Sequence, residues 1–267
     1  MASALRTGKT QLSEQRFRGL DADGEFARRS IGEIGGLGAY FGLLTGASAP
    51  AGTEPWLPVT SLLDGSPTLV ARYRQVQAAL AHVAGVSVEV PEFRVAASVG
   101  QLGLAARLFC PAFGAALLGY RLDLGDALHQ PVVGGALPLF IPTTAVGPQQ
   151  IDSPAPGPAA EHALDTSIAT LVERTAALSV SREVLWGNVA SVIAGAVSTV
   201  ATARPDLAGR AAALGTHLLS LPALAGTFTG RPGSDFRRRS CCLIYRIITP
   251  GPHSPPANSY CGDCILR

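Results

Sequence analysis

Four of the five cysteines fall in the last stretch of the chain, as Cys241-Cys242 and, after eighteen residues, Cys261-Gly262-Asp263-Cys264. If these thiols act together, the fold must turn the chain back on itself and hold two short segments against each other. Four thiolates can hold a tetrahedral zinc or an iron–sulfur cluster. The CxxC half suits either, because Gly262 lets the backbone turn tightly enough for both sulfurs to face one ion. The adjacent pair discriminates more. On an extended strand, neighbouring side chains point to opposite faces. Bringing Cys241 and Cys242 to one centre therefore needs a distorted backbone, which argues against a plain zinc ribbon. A total of five cysteines also argues against a disulfide framework. Cys110, in RLFCPAF, reads as a small buried hydrophobe.

The rest of the 267 residues reads as a helical body. Hydrophobic residues make up 47% and charged residues 15%, ample for a core and incompatible with global disorder. Residues 1–25 read as a flexible lead-in, and residues 26–44 as a helix interrupted by glycines. Ser66 and Pro67 suit the start of a helix over 67–83, with Leu69, Tyr73, Val76, Leu80 and Val83 on one face. Residues 92–109 and 112–119 read as two helices parted by Pro111. LPLFIP (137–142) reads as a short strand.

The proline-rich stretch 143–158 divides the body into an N-terminal part, 26–142, and a C-terminal part, 159–236. It reads equally well as a link between subdomains or as a long surface loop. Beyond it come helices over 159–178, over 182–203 capped by Ser181, and from Pro205 to about Ser220. Residues 224–236 read as a glycine-rich loop and CCLIYRII (241–248) as a strand. The expected class is mainly α, in the α+β sense, with a small β element and a cysteine-rich C-terminal segment, 237–267.

The formal net charge of +2 excludes bulk nucleic-acid binding. The N-terminus lacks the apolar core of a signal peptide. The most apolar run, 189–203, is short and broken by Ser191, Ser198 and Thr199, so no transmembrane segment is expected. These features point to a cytoplasmic protein and leave peripheral membrane contact open. Thiols stay reduced in that compartment.

The tail resembles the C-terminal signature of FhuF-like ferric-siderophore reductases, in which an RRxCC-x-x-Y-R stretch precedes C-G-D-C. The matching residues are Arg238, Arg239, Cys241, Cys242, Tyr245, Arg246, Cys261, Gly262, Asp263 and Cys264. Weaker likeness extends to LWGN (185–188) with VASVIAGA, to LAGT (224–227), and to GLAARL (103–108) and YFGL (40–43). The resemblance covers most of the chain, but only the cysteine signature is specific. It implies a [2Fe–2S] cluster held by Cys241, Cys242, Cys261 and Cys264. It also implies one-electron reduction of siderophore-bound Fe(III), releasing iron in the cytoplasm. The spacing between the cysteine pairs is longer here than in the family. The additional polar, proline-rich segment costs roughly 0.5 kcal/mol in loop closure.

Reduction adds negative charge to such a cluster, and nearby cations favour it. Residues 236–267 hold Arg237, Arg238, Arg239, Arg246 and Arg267 against one acid, Asp263. The arginines serve either as cluster-tuning charges or as a solvated surface run. Trp186 and Asn188 in LWGN are candidates for hydroxamate docking, or else a core residue and a local hydrogen-bonding group. His253, between the cysteine pairs, reads as a loop residue. No dinucleotide or flavin motif is visible, so a separate, ferredoxin-like electron donor is expected. A non-catalytic zinc-binding protein and an electron-carrier or accessory protein of siderophore metabolism remain the alternatives.

Overall fold

The amphipathic stripes of the sequence become a bundle whose two central helices come from opposite halves of the chain. The computed structural model describes residues 24–52, 54–132, 136–149, 158–247 and 261–266. The proposed lead-in falls almost wholly outside these residues, as do much of the proline-rich connection, the loop carrying His253, and Arg267.

A first helix, α1, runs through residues 24–35. Helix α2, Pro67–Ala84, starts as its sequence dictates: Pro67 occupies the first turn and Ser66 accepts a hydrogen bond from Thr68 N. Gly85, in the left-handed region, ends it. Helix α3 is Phe93–Leu118, and α6, Arg182–Ala203, is capped by Ser181. Between them lie α4 (Pro158–Ala163), a π-helical turn (Leu164–Ile168) and α5 (Ala169–Ala176). Helix α7, Ala208–Leu219, follows a short turn opened by Pro205. Helices α3 and α6 pack on each other, with α2 beside α3 and α7 beside α6. One continuous core joins Ile34, Phe113, Val189 and Leu214, so both parts of the chain share it.

The β structure is small. Strands β1 (Leu44–Gly46), β2 (Leu57–Pro58), β4 (Leu128–His129) and β5 (Leu139–Pro142) form one sheet in the order β1-β5-β4-β2. Only the β1–β5 pairing is parallel, with Leu44 opposite Phe140. Strands β3 (Tyr120–Leu122) and β6 (Val146–Pro148) pair separately. A two-residue ladder joins β7 (Phe228–Thr229), inside the stretch read as a loop, to β8 (Arg237–Arg238) immediately after it.

Four expectations are corrected. Pro111 does not break α3, which runs through it. From Val95 to Leu117 that helix is buried at all but four positions, and Phe109 and Phe113 flank the proline with no exposure. That burial offsets the roughly 3 kcal/mol cost of an interior proline. Next, the helix expected over 26–44 ends at residue 35, and Leu44–Gly46 is a strand. Helices α3 and α6 are both long and apolar enough to cross a membrane by length and composition, although most of each is buried inside the fold. Finally, Cys241–Ile247 is not a strand. It is irregular backbone followed by a 3-10 turn, Ile244–Ile247.

Strand β4 carries a buried histidine with a measurable consequence. His129 is 2% exposed, its Nε2 lies 3.2 Å from Ser61 Oγ, and its Nδ1 has no hydrogen-bond partner among the described residues. Burial, reinforced by the Arg72 charge, holds its pKa down to about 4 from an ordinary 6.5. The unfolded chain therefore binds the proton first as pH falls. Stability is fully present above pH 6.5 and drains away as pH drops toward 4. Urea midpoints should fall across that window by the equivalent of about 2 kcal/mol. A His129→Gln variant should lose most of this slope.

Candidate metal centre

The cysteine segments are brought together by the short β7–β8 ladder and by α6. Arg239 N donates to Thr227 O at 2.9 Å, and Arg238 N donates to Asp263 O at 3.1 Å. The second bond lays the Cys261–Cys264 turn alongside β8. The segment entering Cys241 lies against α6, where Ser240 Oγ donates to Glu183 O at 3.0 Å. Gly187 makes this approach feasible, because a Cβ there would collide with Ser240 Oγ. The glycine of LWGN is thus explained by close packing.

Leu243 has φ 70°, the left-handed region that a branched side chain rarely enters. The chain bends there, immediately after the adjacent cysteines, so the backbone leaving them is not an extended strand. Leu243 N donates to Cys241 Sγ at 3.3 Å, and Leu266 N donates to Cys264 Sγ at 3.4 Å. Cys242 Sγ and Cys261 Sγ, one from each segment, are 3.9 Å apart. Two sulfurs bound about 2.3 Å from one tetrahedral ion would lie about 3.8 Å from each other. All five cysteines are free thiols. Among the described residues, no three His, Cys, Asp or Glu side chains converge as ligands of a single ion.

A buried arginine faces the sulfurs. Arg238 is 1% exposed, and its Nη2 donates to Cys261 Sγ at 2.6 Å. Its Nη1 donates to Asn188 Oδ1 at 2.8 Å. Its Nε lies 3.1 Å from Asp263 Oδ2, an ion-pair distance without hydrogen-bond alignment. Asn188 is itself fully buried, and its amide donates to Ser98 O at 3.1 Å and Gln101 Oε1 at 3.0 Å on α3. Ser191 Oγ donates to Asp263 Oδ2. A polar chain therefore runs from α3 through α6 to the sulfurs.

The charges follow from this geometry. Hydrogen bonding between the two sulfurs, and then the Arg238 charge, holds Cys242 down to about 5 despite burial. The same bond pushes Cys261 up, so the pair carries one proton and one thiolate at neutral pH. Burial pushes Cys241 up, and the charges of Cys242 and Cys264 add to that. Cys110 is remote in character: burial drives its thiol up to about 12.

The remaining candidates sort clearly. Arg237 is exposed, and its Nη1 donates to Gly262 O at 2.5 Å. The Arg239 side chain is exposed. Arg246 pairs with Glu92 Oε1 at 2.9 Å, tying the post-cysteine turn to the start of α3. Trp186 is half-buried against the core. Asn188 is not open to a docking ligand; it holds Arg238. Sequence reading missed Ser98, Gln101 and Ser191. Their signal was present as polar residues at helical spacing inside apolar helices, where a buried polar group needs a partner.

Comparison with known proteins gives no match: no family model, no curated protein and no solved structure is significantly similar to the chain.

Proposed function

We propose that the chain is a ferric-siderophore reductase of the kind its C-terminal signature resembles, with a [2Fe–2S] cluster on Cys241, Cys242, Cys261 and Cys264. The single observation that carries the reading is the pairing of Cys242 and Cys261 across two segments, with a buried arginine donating to the second sulfur. The donor type suits the group: four free thiols, of which two, one from each segment, stand 3.9 Å apart. Two cysteines serve each iron of such a cluster, so a three-ligand cage around one ion is not required. A structural zinc site would require at least that cage. Backbone N–H donors to Cys241 and Cys264 suit thiolates, not neutral thiols.

When bound, the cluster supplies a one-electron store. The protein's own groups do the rest. Arg238 places a fixed positive charge against Cys261, which favours the more negative, reduced form. Asn188 keeps that guanidinium aimed at the sulfur. Asp263 offsets part of its charge and orients it. Exposed Arg237, on β8, and Arg239, just after it, lie beside the cysteine turn and present basic side chains to incoming partners. The substrate is a ferric siderophore, hydroxamate in type. Its iron leaves more readily after reduction because Fe(II) has the lower charge density. The electron donor is a ferredoxin-like protein, and the setting is cytoplasmic.

The test is direct. Anaerobically purified protein should be reddish-brown, contain iron and acid-labile sulfide in equal amounts, and give an EPR signal on dithionite reduction. Ferric hydroxamate should reoxidise it, with Fe(II) captured by a ferrous chelator. Colourless protein that binds zinc stoichiometrically would sink the proposal.

A further inference from the structure

Helix α3 is closed on nearly every side and leaves one partly open stripe, of which Leu102 and Ala106 also pack against the core. Between Val95 and Leu117 every residue is buried except Val99, Leu102, Gly103 and Ala106. These four lie on one face, at spacings of three, one and three residues. They border a hollow of about 550 Å³, completed by Tyr40 and by Val192 and Gly195 of α6. Its size and apolar lining are those of a small-molecule site.

A second hollow, of about 400 Å³, lies on the adjoining face of α6. Its lining is polar: Ser198 and Ser234 with Arg237 and Asp263, the last from the cysteine turn itself. The two hollows share Ser191 and Gly195. Ser191 hydrogen-bonds Asp263, so the trough leads from an apolar pocket to the sulfur-bearing turn.

Gly195 forms the saddle between them, and the fold does not require glycine there. A Cβ would meet nothing within 4 Å, and the same is true at Gly103. Glycine inside a helix costs about 1 kcal/mol relative to alanine. Its effect at these two positions is to leave the trough open.

We propose that this trough binds an amphiphilic ferric chelate, its oxygen-rich head at Arg237 and the Cys261–Cys264 turn and its hydrocarbon arm between α3 and α6. The occupant follows from the lining. Arg237 and three hydroxyls suit an oxygen-donor head, the Asp263 carboxylate beside them being already engaged by Ser191 and Arg238. A concave apolar hollow continuous with that end suits a flexible hydrocarbon arm. The proposal rests on the reductase reading for the identity of the head, and it adds that chelates with an apolar arm are the preferred substrates.

Gallium(III) complexes of one trihydroxamate, with and without an octanoyl arm, test it by calorimetry. Gallium is not reduced under these conditions, so docking is measured whether or not the reductase reading holds. Iron and sulfide analysis decides that reading separately. Each methylene buried is worth about four-fold in affinity, so burying only two or three of the arm's methylenes should make the acylated complex bind about 30-fold more tightly. Gly195→Leu and Gly103→Leu should each cut that ratio to about three-fold, with the thermal midpoint unchanged or raised. Either variant suffices if the other fails to fold. Arg237→Gln should loosen both complexes alike. Equal affinity of the two complexes for the parent protein overturns the proposal. So does an unaltered ratio in the folded glycine variants, or octanoate alone binding as tightly as the acylated chelate.

Discussion

Cys261→Ser and Cys264→Ser proteins are expected to fold but to emerge colourless from anaerobic purification, with iron and sulfide reduced at least about ten-fold from the parent. Cys261 sits 3.9 Å from Cys242 and shares a proton with it. Serine keeps the shape and can still accept the Arg238 hydrogen bond, but its hydroxyl does not ionise near neutral pH and is a poor ligand for iron. Cys264 is buried, with Leu266 N directed at its sulfur. Losing it removes a proposed ligand and leaves that donor with a less suitable acceptor. Cys110→Ser is the control. That side chain lies inside α3 with its thiol kept neutral by burial, so it has no thiolate to offer. The change should cost about 1 to 2 kcal/mol of stability through a buried hydroxyl and leave iron content intact. Visible absorption, iron analysis and thermal midpoints on the three proteins decide the matter. Iron lost from the Cys110 variant, or retained in the Cys264 variant, would overturn the ligand assignment.

Local signals carried the helices and failed where distant parts of the chain meet. Ser66 with Pro67, and Ser181 with the stripe from Leu185 to Val200, mark α2 and α6 because caps and periodicity are properties of neighbouring residues. Leu139–Pro142 is a strand, as its apolar run between prolines indicates. Pro111 misled because its cost is local while the burial that offsets it comes from helices elsewhere in the sequence. The β7–β8 ladder has two residues per strand, too few for any alternation to register. At the site, spacing pointed to an approach of the two cysteine segments, of which Cys242 and Cys261 meet. The Asn188–Arg238 contact was not, since it joins residues fifty positions apart. Its trace in the sequence was an asparagine inside an apolar helix, which read as a docking group because its buried partners could not be seen. The bend at Leu243 is similar. Adjacent cysteines call for a distortion, but nothing in a leucine indicates that it will adopt a left-handed backbone beside them.

Arg238→Met should prove the most damaging change outside the cysteines, and two independent readouts should move. The first is stability. Methionine fills most of the volume but leaves Asn188 Oδ1 without its donor and Asp263 without its cation. Removing one partner from a buried charged network costs about 3 kcal/mol, or roughly 6 to 12 °C in thermal midpoint for a chain of this size. The second is the reduction potential of the iron-loaded protein. Arg238 is in hydrogen-bond contact with Cys261 Sγ, so its charge acts at short range and without solvent between. At an effective dielectric of about 20 and a separation of about 5 Å, a unit charge stabilises the added electron by about 3 kcal/mol. Asp263 offsets part of that. The net fall in potential on losing the arginine should be on the order of 100 mV. Arg238→Lys separates the two effects. Lysine keeps a positive charge but cannot reach Asn188, Cys261 and Asp263 together, so it should restore much of the potential and little of the stability. Asn188→Ala should behave differently again, because the guanidinium stays but loses its anchor: stability falls and the potential shifts less than in Arg238→Met. If Arg238→Met lowered stability while leaving the potential unchanged, the arginine would be a structural strut only, and the electrostatic part of the proposed mechanism would fail.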